Sequence, residues 1–282
     1  MSLSIVIPAK NEAGAIGSVV AAARETWPDA EVIVVDDGST DTTAEVAREA
    51  GAIVVQHPES LGNGAAVKAG ARAASGEIIA FMDGDGQHDP KELGPLLEKL
   101  DEGYHMVVGA RDSGSHASMG RLFANGIYNA VASWLTGRPI PDLTSGFRVA
   151  RADHFKEFLY LLPNGFSYPT TITMAFFRSG YPVCYLPIKA AERVGQSHIR
   201  PIRDGVRFMV IIFKVATLYS PLKIFLPFSG LFFATGVGYY AYTYATSGRF
   251  TNMSMLIISA SVIIFLIGLI SEQITALTYS KS

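Results

Sequence analysis

The sequence contains a single cysteine, Cys184, among its 282 residues. A disulfide within the chain is therefore impossible, and this fits a protein that works in a reducing, cytoplasmic setting. The N-terminal stretch MSLSIVIPAK has no basic leader, so we expect no cleaved signal peptide. The formal net charge is only −2 and says little about partners, although we expect no nucleic acid among them.

Charged residues are absent from two long runs, between Lys223 and Arg249 and between Arg249 and Glu272. Each run contains about 20 apolar residues, enough at 1.5 Å per residue to cross a hydrocarbon core of roughly 30 Å. We predict membrane-spanning helices near residues 224–245 and 253–271, within a transmembrane domain over residues 223–282. Two buried helices of a soluble core are the alternative.

Basic residues precede the first predicted span. Four of them fall on one face of a helix, with apolar residues between them: Arg200, Arg203, Arg207 and Lys214. We expect residues 200–222 to form an amphipathic helix at the membrane surface, with its cations toward the lipid headgroups. A solvated core helix is the alternative. This basic flank also predicts that the preceding domain, residues 1–199, is cytoplasmic.

The first 110 residues alternate apolar strands with helical segments. The predicted strands cover 3–8, 31–36, 53–56, 78–82 and 106–109, and the predicted helices cover 11–24, 42–50, 62–74 and 90–101. This order predicts a Rossmann-like α/β fold, with a mostly parallel sheet and helices on both faces. Ligands bind such sheets at the carboxyl ends of strands, where the clusters PAKNE, DDGSTD and DGDGQH lie. Three clusters at one edge favour one shared nucleotide and metal site.

Three familiar ligand-binding motifs are missing. The turn after the first strand reads PAKNEAG and lacks the glycines of G-x-G-x-x-G, which sets aside a dinucleotide-binding dehydrogenase. Gly62-Asn63-Gly64 is not followed by G-K-[ST], so a P-loop is excluded as well. An EF-hand fails because His88 stands where its turn glycine belongs and Gly94 where its bidentate glutamate is needed.

The stretch IIAFMDGDGQHDP, residues 78–90, joins a buried strand to a group of acids. Asp83 and Asp85 are two residues apart, so in an extended segment their side chains point the same way. Asp85 and Gln87 offer hard oxygen ligands that suit Mg²⁺ or Mn²⁺ carrying a phosphate, with a plain polar turn as the alternative. Asp89 precedes Pro90 as a helix cap, so we expect its role to be structural.

The segments SIVIPAKNE, VVDDGSTD, GNGAAVKAG and FMDGDGQHDP, in this order and spacing, resemble the inverting nucleotide-sugar glycosyltransferases of family 2, which have the GT-A fold. GARDSGS, TSGFRVARAD and RVGQSHIRPIRDG, followed by two spans, narrow the resemblance to the polyprenyl-phosphate branch. The resemblance implies transfer of one hexose from a UDP- or GDP-sugar to undecaprenyl or dolichyl phosphate, with Mg²⁺ or Mn²⁺. It implies an enzyme of the membrane that acts in cell-envelope or glycan synthesis. Separately, glycines in the first predicted span allow close helix packing and so a homo-oligomer.

The resemblance also implies roles for matching residues. Those expected to bind the nucleotide are Pro8, Lys10, Glu12, Asp37, Asn63, Asp83 and Gly84. Asp85 and Gln87 would hold the metal. Those expected to contact the donor diphosphate or the acceptor phosphate are Arg111, Arg121, Asn125, Arg193 and Ser197, and the three arginines would act in catalysis with Asp85.

The acceptor chemistry decides whether a base is needed. A phosphate monoester has a second pKa of about 6, so at neutral pH it is mostly a dianion that can attack directly. Arginine guanidinium groups, which bind phosphate bidentately, would bring the two anionic substrates together. Asp142 would be the base if the acceptor were a sugar or lipid hydroxyl, which stays an alternative function. The non-enzymatic alternative is a degenerate domain that organises membrane partners. His198 stands where related sequences commonly have Lys or Arg.

Overall fold

The computed structural model describes residues 2–111, 119–165, 167–188 and 219–279 and the single positions 210, 213 and 217; for 119–125 it describes the backbone alone. The chain divides into two compact units, Met1–Phe208 and Met209–Ser282. The predicted boundaries at 199 and 222 stay predictions. The cations of the predicted surface helix, Arg200, Arg203, Arg207 and Lys214, lie outside the described residues.

The first unit is built on a seven-stranded sheet. Its strands are β1 (Leu3–Ala9), β2 (Glu31–Asp36), β3 (Ile53–Gln56), β4 (Ile78–Phe81), β5 (Met106–Arg111), β6 (Arg148–Arg151) and β7 (Val183–Ile188). Their order is β3-β2-β1-β4-β6-β5-β7, and β6 runs antiparallel to β4 and β5 while the other neighbours are parallel. The predicted mostly parallel α/β sheet is therefore confirmed.

Helices cover both faces of this sheet. They are α1 (Ile16–Thr26), α2 (Thr43–Glu49), α3 (Asn63–Ala73), α4 (Leu93–Asp101), α5 (Met119–Thr136), α6 (Ala152–Glu157) and α7 (Tyr168–Arg178), with a 3-10 turn at Pro90–Glu92 before α4. Ile5 and Ile7 of β1 pack in one core cluster with α1 and α4. On the other face, Gly70 of α3 lies so close to Val6 that an added Cβ would be 2.3 Å from Val6 Cγ1. Burial on both faces explains why the parallel strands are almost wholly apolar.

Two helix starts show how local chemistry sets element boundaries. Asp89 accepts a hydrogen bond from Lys91 N at 2.9 Å, which confirms its structural role at the turn before α4. The predicted start of the first helix at residue 11 is wrong, because Asn11 has a left-handed backbone with φ of +55°. Its side chain instead accepts a hydrogen bond from Thr40 N at 2.8 Å, and α1 begins at Ile16.

The second unit contains two long apolar helices, α8 (Pro221–Ser247) and α9 (Asn252–Tyr279). Both are long and apolar enough to cross a membrane, as predicted, although each is longer than the predicted span. Apart from Pro221 at the start of α8, their buried residues are small and recur every seven positions: Ser229, Gly236 and Thr243 on α8, and Ser254, Ser261, Gly268 and Thr275 on α9. This seam lets the two backbones approach closely.

Candidate active site

A cleft of about 470 Å³ opens at the carboxyl ends of β1, β2 and β4, the central strands of the sheet. The predicted nucleotide-binding residues and one predicted metal ligand all line it: Pro8, Lys10, Glu12, Asp37, Asn63, Asp83, Gly84 and Asp85. The three polar clusters of the sequence therefore meet at one edge. This is the general position for ligands in open α/β sheets.

Asp37 shapes one end of the cleft. Its Oδ1 accepts a hydrogen bond from Leu61 N at 2.9 Å and lies 2.8 Å from His57 Nδ1. Its Oδ2 accepts hydrogen bonds from Ser60 Oγ at 2.8 Å and Gly62 N at 2.9 Å. Burial alone would raise the pKa of Asp37, but these bonds hold it below its usual value. The carboxylate thus fixes the loop that leads into α3.

Lys10 and Ser60 extend this arrangement along the cleft wall. Lys10 Nζ donates a hydrogen bond to Ser60 Oγ at 2.8 Å, and Ser60 in turn donates to Asp37. Gly62 has φ of +104°, a left-handed conformation that L side chains rarely adopt. The exposed ammonium of Lys10 therefore lies beside a loop that hydrogen bonds to Asp37 hold in place.

The turn after β4 brings Asp83, Gly84 and Asp85 to the cleft. The prediction of an extended segment here is wrong, because β4 ends at Phe81 and the chain turns at Gly84 and Asp85. Asp85 Oδ1 accepts a hydrogen bond from Gln87 N at 3.1 Å, which tightens the turn. Gln87, the other predicted metal ligand, does not line the cleft.

The cleft is also lined by residues to which the sequence assigned no role: Thr144, Gly146, Tyr168 and Pro169. Arg148, which is fully buried, links the segment at residues 144–146 to the segment at residues 168–169. It donates hydrogen bonds to Ser145 O, to Pro169 O at 3.1 Å and to Thr173 Oγ1 at 3.2 Å. The TSGFR motif includes Gly146 and Arg148, but its sequence does not indicate that Arg148 has a partner at the start of α7.

Arg111, at the end of β5, pairs with Asp142 in the loop before β6. Arg111 Nε donates to Asp142 Oδ2 at 2.9 Å and Arg111 Nη2 donates to Asp142 Oδ1 at 3.2 Å. Burial would raise the pKa of Asp142, but the Arg111 guanidinium holds it below its usual value. Burial likewise opposes the charge of Arg111, yet the pKa of Arg111 is raised by Asp142 and, more weakly, by Asp83.

For the remaining predicted residues, the structure describes no side chain. Arg121 and Asn125 belong to α5, where only their backbone is described, and Arg193, Ser197 and His198 lie outside the described residues. Their assigned roles stay predictions.

The donor set of the β4 turn suits a divalent cation that arrives with phosphates. Within the described ranges, no three His, Cys, Asp or Glu side chains are grouped as a metal cage. Mg²⁺, however, is usually held by one or two carboxylates together with substrate phosphates and water. Asp83 and Asp85 on one cleft wall meet that requirement.

Two protein-family models match the chain. The model described as "Glycosyl transferase family 2" matches residues 4–159, from the second residue of β1 to just past α6, and the model described as "GtrB C-terminal hairpin" matches residues 220–277. The first match covers most of the sheet unit without α7 and β7, and the second covers α8 and most of α9.

Similar proteins extend these matches. A dolichyl-phosphate hexose transferase of Haloferax volcanii is 33% identical over 216 residues, which cover 76% of this chain and 93% of that protein. A polyprenol monophosphomannose synthase of Mycolicibacterium smegmatis is 28% identical over 228 residues, covering 75% and 84%.

Among solved structures, glucosyl-3-phosphoglycerate synthase of Mycobacterium tuberculosis, in complex with Mn²⁺, UDP and phosphoglyceric acid, matches with a TM-score of 0.61 at 23% identity. The match covers 76% of this chain and 78% of that one. The same enzyme in complex with Mg²⁺ and UDP matches with a TM-score of 0.61 at 24% identity, covering 76% and 79%. At this identity the likeness establishes the fold.

Proposed function

Because the chain belongs to glycosyl transferase family 2, we propose that it transfers one hexose from a nucleoside diphosphate sugar to a polyprenyl phosphate, with inversion at the anomeric carbon. The observation that carries the proposal is the meeting of Lys10, Asp83 and Asp85 in one cleft, in a chain that also has two candidate membrane spans. The acceptor class is supported by the names of the archaeal and mycobacterial relatives.

The donor binds with its nucleoside toward Lys10, Glu12 and Asn63 and its diphosphate toward the β4 turn. Asp37 supports the nucleoside end by holding the loop at residues 57–62, since its four hydrogen bonds leave little acceptor capacity for a ligand. The lysine ammonium supplies a positive charge at the exposed mouth of the cleft. UDP in the structural neighbour from M. tuberculosis supports a uridine or similar nucleotide.

The carboxylates of Asp83 and Asp85 would hold Mg²⁺ or Mn²⁺ against the diphosphate, with Gln87 as a further predicted ligand. When bound, such an ion stabilises negative charge that develops on the departing nucleotide. Both metals occur in complexes of the structural neighbour, which supports this assignment. In the chain itself, the hydrogen bond between Asp85 and Gln87 N keeps the turn ready for the ligand.

The acceptor phosphate attacks the anomeric carbon directly. A bond forms between that carbon and a phosphate oxygen, the bond to the diphosphate oxygen breaks, and the nucleoside diphosphate leaves with the electron pair. A monoester phosphate is mostly a dianion at neutral pH, so no proton has to be removed. Arg111, with Arg121 and Arg193 as predicted partners, balances the charge of the two anions that must meet.

The second unit keeps the enzyme at its lipid substrate. Helices α8 and α9, which are long and apolar enough to cross a membrane, would span it, and the basic residues that precede them in the sequence support a cytoplasmic position for the catalytic unit. Residues 200–222 are the predicted surface segment, and its cations Arg200, Arg203, Arg207 and Lys214, outside the described residues, would favour binding to lipid headgroups.

The test is transfer of labelled hexose by the purified full chain. The assay combines UDP- or GDP-hexose, undecaprenyl or dolichyl phosphate, and Mg²⁺ or Mn²⁺. We expect a labelled glycolipid that requires the metal and is lost in Asp85→Asn, whereas Asp29→Asn, an exposed acid, behaves as wild type. Absence of glycolipid from every donor and acceptor pair rejects the proposal.

A further inference from the structure

We propose that Asp142 is a positioning residue that orients Arg111 toward the acceptor phosphate and takes no proton during transfer. The inference rests on the proposed function, and it assigns this acid a role other than that of a general base. It also explains why a buried carboxylate lies beside the cleft wall, next to Thr144.

The hydrogen bonds of Asp142 leave no oxygen available to a substrate proton. The residue is 8% exposed. Its Oδ1 accepts hydrogen bonds from Arg111 Nη2 at 3.2 Å and from Thr144 N and Oγ1, both at 3.0 Å. Its Oδ2 accepts from Arg111 Nε at 2.9 Å and from Arg111 N at 3.4 Å. A carboxylate has about four lone-pair positions, so these five contacts occupy its acceptor capacity.

The positive charge of Arg111 also makes Asp142 unsuited to act as a general base. Burial alone would raise the pKa of Asp142 and make it a better base, but the guanidinium holds that pKa below its usual value. A general base works best when its pKa lies near the working pH. A buried carboxylate that stays ionised beside an arginine is therefore a poor proton acceptor and a good anchor.

Arg111 is the group that this anchor prepares. Asp142 engages Nε and Nη2 of its planar fork, and Thr144 Oγ1 accepts a further bond from Nη2 at 2.9 Å. Of the hydrogen bonds that Arg111 makes to described residues, none uses Nη1, and 40% of its side chain is exposed. Fixing two corners of a rigid plane fixes the third, so Nη1 is held as a donor for an incoming anion without further loss of side-chain freedom.

The experiment measures kcat and the KM for polyprenyl phosphate in four variants of the full chain. Asp142→Asn keeps the shape but removes the charge, and Thr144→Val removes the hydroxyl bonds to both partners. Arg111→Gln and the double variant Arg111→Gln with Asp142→Asn complete a thermodynamic cycle. Asp101→Asn is the matched control. Asp101 also pairs with an arginine, Arg151, at 3.6 Å, and neither residue lines the cleft.

A positioning role predicts that Asp142→Asn raises the acceptor KM about tenfold while kcat stays within about threefold, as expected for a weakened charge-assisted contact. Thr144→Val raises that KM by a smaller factor, and the double variant is no worse than Arg111→Gln alone. Asp101→Asn matches wild type. Loss of kcat in Asp142→Asn with an unchanged acceptor KM overturns the proposal, as do losses that multiply in the double variant.

Three further results keep the inference and the proposed function separate. If Asp142→Asn does not fold, an unchanged acceptor KM in Thr144→Val overturns the inference by itself. If the wild-type protein transfers no hexose to polyprenyl phosphate, the proposed function is rejected before any variant is compared. If the wild-type enzyme is active and Asp142→Asn loses kcat with an unchanged acceptor KM, the inference is rejected and the proposed function stands.

Discussion

Gly146 lies directly against the carboxylate of Asp83. A Cβ at residue 146 would be 3.3 Å from Asp83 Oδ1 and 3.4 Å from Oδ2, and 3.5 Å from the hydroxyl of Tyr168. The loop before β6 thus approaches the β4 turn with bare backbone, and any side chain there would press on an acid of the cleft. The glycine of the TSGFR segment is required by this close approach.

Gly146→Ala should therefore lower activity without unfolding the protein. Its methyl group displaces the Asp83 carboxylate by a few tenths of an ångström, and misplacement of a site group by about 1 Å can reduce rate about 100-fold. We expect a loss of about tenfold in hexose transfer. Gly94→Ala is the control, since a Cβ on Gly94 in α4 meets nothing within 4 Å. Equal activities for the two variants would contradict the assigned position of Asp83.

The hydrogen bonds of Asp37 predict a joint effect on stability and donor binding. Asp37→Asn loses acceptor capacity for the backbone of Leu61 and Gly62, and leaving a buried donor unsatisfied costs about 1–3 kcal/mol. We expect a lower unfolding temperature and a higher donor KM, with the acceptor KM unchanged. Calorimetry and initial rates measure both. Asp29→Asn, on an exposed residue, should change neither; a normal donor KM in Asp37→Asn would count against the loop's role.

The imidazole of His105 predicts how stability varies with pH. Its ring stacks on that of His154 with centroids 4.3 Å apart, beside Tyr181. Burial lowers the pKa of His105, and the charges of His154 and Arg151 lower it further, against an opposing effect of Asp153. A histidine with a lowered folded pKa binds its proton more readily when unfolded, so stability is lost as pH falls through about 6.5.

The measurement is the unfolding temperature of the catalytic unit from pH 8 to pH 5. His105→Gln should flatten its decline in the acid range. Asp153→Asn should steepen it, because the charge that raises the pKa of His105 is removed. Parallel curves for wild type and His105→Gln would show that this cluster does not contribute.

The seam between α8 and α9 predicts contrasting results for two glycines on one helix. A Cβ at Gly236 would lie 2.7 Å from Ile258 Cγ1, whereas one at Gly238 meets nothing within 4 Å. Gly236→Leu should separate the helices and lower thermal stability in detergent, and Gly238→Leu should leave it near that of wild type. Size-exclusion chromatography after heating distinguishes them. Similar losses in both variants would exclude the heptad seam as the cause.

Much of the fold could be predicted because apolar runs and turn residues alternate clearly in the first 110 residues. β2 and β3 were predicted to the residue, and the polar cluster after each central strand did reach one cleft. The family resemblance drawn from the motifs is confirmed by the matching family model. Parallel strands buried on both faces leave this kind of signal in the sequence itself.

The remainder depends on contacts between distant residues. β6, with the sequence RVAR, contains two arginines in four residues, and Arg148 is buried there because Pro169 O and Thr173 Oγ1, more than 20 residues along the chain, accept its hydrogen bonds. Tyr168 reaches the cleft for the same reason, since α7 begins where Arg148 holds Pro169. The left-handed backbone of Asn11 depends on the loop at Thr40. No local pattern indicates such partners.

In the proposed reaction, an ionised lipid phosphate attacks the donor sugar without a base. The most direct measurement offers the purified enzyme, with labelled nucleotide sugar and Mn²⁺, either polyprenyl phosphate or the matching polyprenol, which differs only in lacking the phosphate. We expect labelled lipid from the polyprenyl phosphate alone, with an inverted anomeric centre. Labelled product from the polyprenol at a comparable rate would contradict it.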